Sequence, residues 1–228
     1  MPGIAENIVL VCERIRYFEQ QYGRPAKSVK LLAVSKKQDP GKLREAFAAG
    51  ITDFGENYLQ EAQVKMKQLS DLQLIWHFIG PIQANKTRGL AEHFHWIHSV
   101  DRLKIAHRLS EQRLPNESPL NICVQVNLSR EESKSGTTLE QATALCDVVE
   151  TLPHLKLRGL MAIPEALSDK QQQRASFADL AAAFHRLAPD YACFDTLSIG
   201  MSNDFEAAIA EGSSMVRIGT AIFGPRTN

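Results

Sequence analysis

The sequence predicts a (β/α)8 barrel of the TIM type, formed as a single domain over residues 1–228 with an extra N-terminal helix. Eight short apolar runs alternate with longer amphipathic segments, which is typical of βαβ units around a parallel sheet. Runs such as LLAVS and NICVQV are almost entirely apolar, as expected for strands that helices cover on both sides. The length is close to the ~250 residues usual for this barrel. An open doubly wound sheet is the alternative, but it usually has fewer strands.

The chain opens with an amphipathic helix, because apolar residues recur at intervals of three and four. This apolar face consists of Ile4, Ile8, Val11, Ile15 and Phe18. Gly23 and Pro25 then end the helix. Strands are predicted at residues 29–35, 51–55, 74–80, 95–100, 120–127, 155–163, 194–200 and 214–219. The helices between them are predicted at residues 40–50, 56–69, 84–94, 101–113, 138–152, 170–187 and 203–212.

Composition narrows the classes of partner and compartment. With 26 basic and 26 acidic residues the net charge is zero, which argues against nucleic acid or an anionic membrane as a partner. No apolar run approaches the roughly 18 residues of a membrane span, and the N-terminal run IVLVC is too short for a signal peptide. The four cysteines form no CxxC pair, which is typical of a reducing compartment. We therefore expect a soluble, cytoplasmic protein.

The segment after strand 7, SIGMSND, has the composition of an anion site. In such barrels the active site lies at the carboxyl ends of the strands, and phosphate often binds after strands 7 and 8. Gly200 allows a tight turn and Ser202 supplies a hydroxyl. Asn203 or Asp204 can cap the helix that follows, and a helix N-terminus after a glycine turn gathers amides that suit an anion.

The segment after strand 8, RIGTAIFG, supplies a second part of the same site. Gly219 and Thr220 can bring backbone amides and a hydroxyl to a phosphate. Each glycine alone is typical of an ordinary turn, but glycines after both strands favour a phosphate site. Arg217 lies in an otherwise apolar strand, where a charge needs a partner. That partner is either a ligand or a structural ion pair.

Lys36 follows the apolar run of strand 1 in KLLAVSKKQ. Taken alone, it is typical of a solvated lysine at the end of a strand. Strand 1 closes the barrel beside strand 8, however, and neighbouring strands lie about 4.8 Å apart. The amine therefore lies at the same rim as Arg217, Gly219 and Ser202. An amine beside a phosphate site indicates a Schiff base with a phosphorylated carbonyl compound, either pyridoxal 5′-phosphate (PLP) or the phosphosugar of a class I aldolase.

Seven motifs spread over nearly the whole chain resemble the pyridoxal phosphate homeostasis protein family. Its barrel is similar to the N-terminal domain of bacterial alanine racemase. The motifs are AVSK (33–36), FGENYLQE (54–61), WHFIGPIQANK (76–86), SKSG (133–136), LRGLMAIP (157–164), SIGMSND (198–204) and VRIGTAIFG (216–224). An aldolase is disfavoured, because the known Schiff-base aldolases carry their lysine on a mid-barrel strand, whereas Lys36 follows strand 1.

The resemblance implies PLP as the cofactor and a role for each site residue. Lys36 would form the Schiff base, and Ser202 with the Gly219–Thr220 amides would hold the phosphate. Asn57, at the end of strand 2, would line the cofactor site, and Arg217 would face the pyridine nitrogen. Because arginine only donates hydrogen bonds, that nitrogen would stay unprotonated, and the ring would be a weak electron sink.

The resemblance also implies a role in PLP (vitamin B6) homeostasis and amino-acid balance, without efficient catalysis. We expect a monomer that passes PLP transiently to PLP-dependent apoenzymes. The alternative is an amino-acid racemase of low activity, which needs a second acid/base. Alanine racemase takes this group from a further domain, and with the chain ending at Asn228 we expect none here. Tyr58 is the tyrosine nearest the rim, although a tyrosine there is also typical of helix packing.

Two further groups have alternative interpretations. Lys134, in the loop after strand 5, is either a solvated lysine or a second amine that accepts and releases the aldehyde. His93, His95 and His98 cluster in the sequence, but their spacing matches no zinc site, and we expect no metal.

Overall fold

The computed structural model describes residues 2–128, 135–165 and 167–225, and these form a closed barrel of eight parallel strands in sequence order. The predicted fold class and all eight predicted strands are confirmed, with ends that differ by at most two residues. The strands are β1 (Lys30–Val34), β2 (Asp53–Glu56), β3 (Ile75–Phe78), β4 (Trp96–Val100), β5 (Leu120–Val126), β6 (Leu155–Ala162), β7 (Thr196–Ser198) and β8 (Met215–Ile218).

Helices cover the outside of the barrel. They are α1 (Ile4–Gln21), α2 (Pro40–Ala48), α3 (Leu59–Gln68), α4 (Thr87–His93), α5 (Leu103–Gln112), α6 (Leu139–Thr151), α7 (Lys170–Leu187), α8 (Phe205–Ala210) and α9 (Thr220–Phe223). Helix α9 was not predicted, since a single turn within the apolar run RIGTAIFG shows no helical period. The longest described helices, α1 and α7, have 18 residues each, and none of the described helices could serve as a membrane span.

The N-terminal helix α1 takes the place in the outer layer that α9 is too short to fill. It packs against α2, α8 and α9. Of its predicted apolar face, Ile8, Val11, Ile15 and Phe18 are buried. The side-chain amide of Asn7 donates to Ile222 O of α9 at 2.9 Å. The leading helix therefore closes the helical layer beside β1 and β8.

The pairing of β1 with β8 brings the two ends of the chain to one part of the barrel. Leu32 pairs with Arg217 and Ala33 with Ile218. Because side chains alternate along a strand, Leu32 and Val34 share one side of β1, and Lys36 lies in the turn that follows the strand. Leu32 and Val34 form a small apolar cluster with Ile79 and Met215, which places this side in the barrel interior.

Candidate functional site

A cavity of about 260 Å³ lies at the carboxyl ends of β1, β2, β7 and β8, and all six predicted site residues line it. The barrel rule therefore led to residues that the structure places around one cavity at the carboxyl ends of the strands. The six are Lys36, Asn57, Ser202, Arg217, Gly219 and Thr220. The structure brings them together, and their roles toward a ligand remain predictions.

Residues not predicted from the sequence provide the rest of the wall. Val34, Ile79, Ile163 and Leu167 give the cavity an apolar side. Ile79 lies two residues after His77, which is buried in the barrel interior. Strand alternation could therefore have assigned it to the interior, had the ends of the strands been known. Met201, Asn203 and Asp204 complete the wall beside Ser202.

The backbone on both sides of Lys36 is held firmly, while the Lys36 side chain itself is half-buried. Ser35 N donates to Gly55 O at 2.9 Å, and Ser35 Oγ donates to Glu56 Oε1 at 2.6 Å. Lys37 has a left-handed φ of 59°, and its amide donates to Glu61 Oε1. These contacts fix the turn after β1 and direct the chain around Lys36.

A buried ion cluster supports this turn from outside the barrel. Lys65 of α3 is 3% exposed. Its ammonium donates to Ser35 O at 2.7 Å, to Glu56 Oε1 at 2.8 Å and to Glu61 Oε1 at 2.6 Å. Burial raises the pKa of Glu56, against the lowering effect of Lys65. Sequence reasoning did not identify this cluster, because α3 and β1 meet only in the folded chain.

Helix α9 presents its N-terminus to the cavity at Gly219 and Thr220. The amide of Ile222 donates to Gly219 O at 2.9 Å, and it is the first amide from Gly219 onward for which the structure gives such a backbone bond. The amides of Gly219, Thr220 and Ala221 precede that bond and suit an anion. A Cβ at Gly219 would lie 3.1 Å from Val34 O, so a larger residue would crowd β1.

The turn after β7 is tight, as the glycine in SIGMSND predicted. Gly200 has a φ of +96°, and a Cβ there would lie 2.6 Å from Ala208 Cβ. Asp204 takes the N-cap position of α8, but its carboxylate does not cap the helix; it accepts a hydrogen bond from the amide of Met201 instead. The predicted N-cap position at Asp204 is therefore confirmed, but the predicted capping by its side chain is wrong. Burial raises the pKa of Asp204.

Arg217 is 3% exposed and lies on the barrel side of the cavity. Its Nη1 donates to Ser198 O and, at 2.9 Å, to Ser198 Oγ, and its Nη2 donates to Ala162 O at 2.8 Å. Burial lowers its pKa to about 10, so the guanidinium is still charged at neutral pH. Among the described residues it makes no direct ion pair, and the predicted structural-ion-pair alternative is not what holds it.

Asn57 lines the cavity and comes directly after the end of β2. Its Oδ1 is buried and has no hydrogen-bond partner among the described residues. Gly80 allows the close approach of the chain after β3, since a Cβ there would lie 2.3 Å from Asn57 O. A buried polar atom without a partner is costly, which marks Asn57 as a group available to a ligand.

The remaining candidates lie elsewhere. Tyr58 is 51% exposed and is not among the residues that line the cavity. His93 is exposed at the end of α4, and His95 Nδ1 accepts a hydrogen bond from Trp76 N at 3.0 Å. His98 is buried in the barrel interior against His77. Lys134 lies outside the described residues.

Comparisons with known proteins agree with this barrel. Residues 13–227 match the family model described as the N-terminal domain of alanine racemase. A pyridoxal phosphate homeostasis protein of Pseudomonas aeruginosa is 58% identical over 226 residues, which cover 99% of this chain and 97% of the relative. One from Escherichia coli K12 is 48% identical over 99% of this chain and 98% of the relative. PipY of Synechococcus elongatus, solved with PLP bound, is 35% identical with a TM-score of 0.82, covering 97% of this chain and 100% of PipY.

Proposed function

This chain belongs to the alanine racemase N-terminal domain family, and on that premise we propose that it binds PLP in the rim cavity and acts in PLP homeostasis. One observation carries the proposal: a lysine, a buried arginine and the amides of a helix N-terminus line a single cavity. The relatives named for PLP homeostasis and the PLP-bound PipY structure support it.

The residues of the cavity fit this cofactor. PLP supplies an aldehyde that reacts with amines, and a phosphate that needs anion-binding groups. Lys36 would hold the cofactor through its amine, the kind of group with which the aldehyde reacts. The hydroxyl of Ser202 and the amides at Gly219 and Thr220 would hold the phosphate. Asn57, with its unpartnered Oδ1, would contact the cofactor within the cavity.

Arg217 would make the bound pyridine ring a weak electron sink. It is charged, buried and can only donate hydrogen bonds, so a ring nitrogen facing it would remain unprotonated. Of the described residues that line the cavity, Lys36, Asp204 and Arg217 are ionisable. Asp204 is engaged with the Met201 amide, and Tyr58 does not line the cavity. Racemisation, which needs a second acid/base opposite the lysine, is therefore not favoured.

We propose that the protein holds PLP reversibly and passes it to PLP-dependent apoenzymes as a monomer. A Schiff base can be transferred, because another amine can replace the first one at the same carbon. The cavity mouth supports such exchange, since Ile163 at its edge is 45% exposed.

The function is tested on the purified protein. We expect it to absorb visible light as a PLP Schiff base, and borohydride reduction followed by peptide mass spectrometry should locate the adduct on Lys36. With L- or D-alanine we expect no racemisation near the usual turnover of about 1–10³ s⁻¹. Protein that neither retains PLP nor takes it up from solution would contradict the proposal. Racemisation at such rates would make it an enzyme instead.

The phosphate contacts are tested by comparing PLP with pyridoxal, which lacks the phosphate. Ser202→Ala should weaken the binding of PLP by about 1.5–3 kcal/mol, the usual contribution of a hydrogen bond to a charged group, and leave pyridoxal binding nearly unchanged. Equilibrium binding of both ligands measures this difference. Ser176→Ala, which removes a hydroxyl from α7 that bonds Gln173 O, is the matched control. Equal losses for both ligands would place the phosphate elsewhere.

A further inference from the structure

A chain of hydrogen bonds runs through the barrel interior and ends at the cavity. Lys30 Nζ lies 2.7 Å from Asp53 Oδ1, and Asp53 Oδ1 lies 2.9 Å from His77 Nε2. His77 Nδ1 lies 2.9 Å from His98 Nε2, and His98 Nδ1 lies 3.1 Å from Ser198 Oγ. Ser198 Oγ accepts from Arg217 Nη1 at 2.9 Å. Five strands contribute to this chain: β1, β2, β3, β4 and β7, with β8 supplying the arginine.

The two ends of the chain determine the direction of every bond in it. The Asp53 carboxylate can only accept, so His77 donates to it from Nε2 and has Nδ1 free to accept. His98 must then donate from Nε2 to His77 and accept at Nδ1. Ser198 therefore donates its hydroxyl proton to His98. At the other end Arg217 can only donate, and its proton meets the lone pair of Ser198 Oγ.

Burial keeps this arrangement of protons in place. His77, His98 and Ser198 are fully buried, and Asp53 is 4% exposed. Burial lowers the pKa of His77 to about 4 and that of His98 well below its ordinary value. Burial alone would raise the pKa of Asp53, but hydrogen bonds from His77 and Lys30 lower it to about 2. Both imidazoles are therefore neutral and Asp53 is ionised at neutral pH.

The hydrogen-bonded chain leaves some N–H groups of Arg217 available to the cavity. A guanidinium has five N–H groups. Three of them are engaged, two with the backbone oxygens of Ser198 and Ala162 and one with Ser198 Oγ. Apolar residues could fill a barrel interior equally well, and a buried polar string of this length is not needed for stability.

We propose that Asp53, His77, His98 and Ser198 are positioning residues that orient Arg217 so that its remaining N–H groups face the ring nitrogen of PLP. The inference rests on the proposed function, and it adds a specific prediction: a change at His77, three hydrogen bonds away from Arg217, alters how strongly the cavity prefers a ring nitrogen to a C–H group. Charged and polarised hydrogen bonds strengthen one another along such a chain, which is how an effect can travel from β3 to β8.

The first measurement needs no cofactor. Nitrogen-15 NMR of the histidine rings in ligand-free protein should show His77 and His98 neutral with the proton on Nε2, with the exposed His107 as the reference signal. Ser198→Ala should shift the His98 ring signals, because Nδ1 loses its donor. An imidazolium, or a proton on Nδ1 of either ring, would overturn the proposal whether or not PLP binds.

The second measurement compares the affinity for PLP with that for its 1-deaza analogue, in which a C–H replaces the ring nitrogen. Wild-type protein should prefer PLP by roughly tenfold, the effect of one hydrogen bond to a charged donor. Ser198→Ala and His77→Phe should each reduce this preference to about threefold or less. Ser198→Thr, which keeps a hydroxyl at this position, should keep the wild-type preference. His77→Phe keeps a ring for stacking on Trp96, 5.3 Å away.

Cys123→Ala is the matched control, because it also removes one heavy atom from a fully buried side chain, and Cys123 is not a member of the hydrogen-bonded chain. It should keep the full preference for PLP. If Arg217→Leu abolishes the preference while Ser198→Ala and His77→Phe do not, the positioning role is wrong and the proposed function stands. If Arg217→Leu has no effect on the preference, the ring nitrogen does not face Arg217, and both the contact and the positioning role fail.

Discussion

Lys36→Ala protein is expected to lose nearly all of the PLP that borohydride traps in the wild-type protein. PLP should still bind to the variant weakly and reversibly. In the proposed binding mode the Lys36 amine bonds to the aldehyde, whereas Ser202 and the helix α9 amides, which also line the cavity, would still hold the phosphate. Absorbance after dialysis and peptide mass spectrometry after reduction measure the loss. Lys36→Arg, which keeps the charge but forms no Schiff base, should behave like Lys36→Ala.

A neighbouring lysine provides the control for this result. Lys37 is exposed and has a left-handed backbone, a conformation that asparagine tolerates well. Lys37→Asn should therefore fold and retain PLP like the wild-type protein. Equal trapping in Lys36→Ala and wild-type protein would show that the covalent site is elsewhere. If reduction of the Lys36→Ala protein labels Lys134 above other lysines, the second-amine interpretation of Lys134 is supported.

The protein is expected to lose several kcal/mol of stability between about pH 6.5 and pH 4, because of His77 and His98. An unfolded histidine takes up a proton near pH 6.5, but burial lowers the folded pKa of His77 to about 4 and that of His98 also well below its ordinary value. The unfolded state thus binds more protons in this range, and the free energy of unfolding falls as the pH falls. His77 alone corresponds to about 3 kcal/mol.

Urea unfolding at several pH values tests this expectation. Burial raises the pKa values of Glu56 and Asp204, and these carboxyls oppose the trend by favouring the folded state on acidification. The decisive quantity is therefore the difference between variants. His77→Phe should show a shallower loss than wild-type protein, and His107→Gln, at an exposed position, should match wild type. Identical slopes in wild type and His77→Phe would contradict the assignment.

The candidate site was predictable from sequence to the extent that it follows from chain order. Lys36, Ser202 and Gly219 each come directly after a strand, and in a barrel the ends of parallel strands meet at one rim. The supporting groups were not predictable in this way. Lys65 reaches Ser35 from a helix, and Ser198 meets His98 across the barrel, 100 positions away in sequence. No short-range pattern records such contacts.

The sequence by itself determined the alternation of eight strands with helices, the rim where the amine and the two glycine turns gather, and the resemblance that implies PLP. These depend on local periodicity, glycine at turns and the order of the strands, all of which are written along the chain. Only the tertiary structure decided that α1 closes the helical layer beside α9 and that Asp204 holds Met201 instead of capping α8. It also decided that His98 belongs to a polar chain ending at Arg217. Those outcomes depend on which side chains meet when the barrel closes, and on the cost of leaving a buried polar group without a partner.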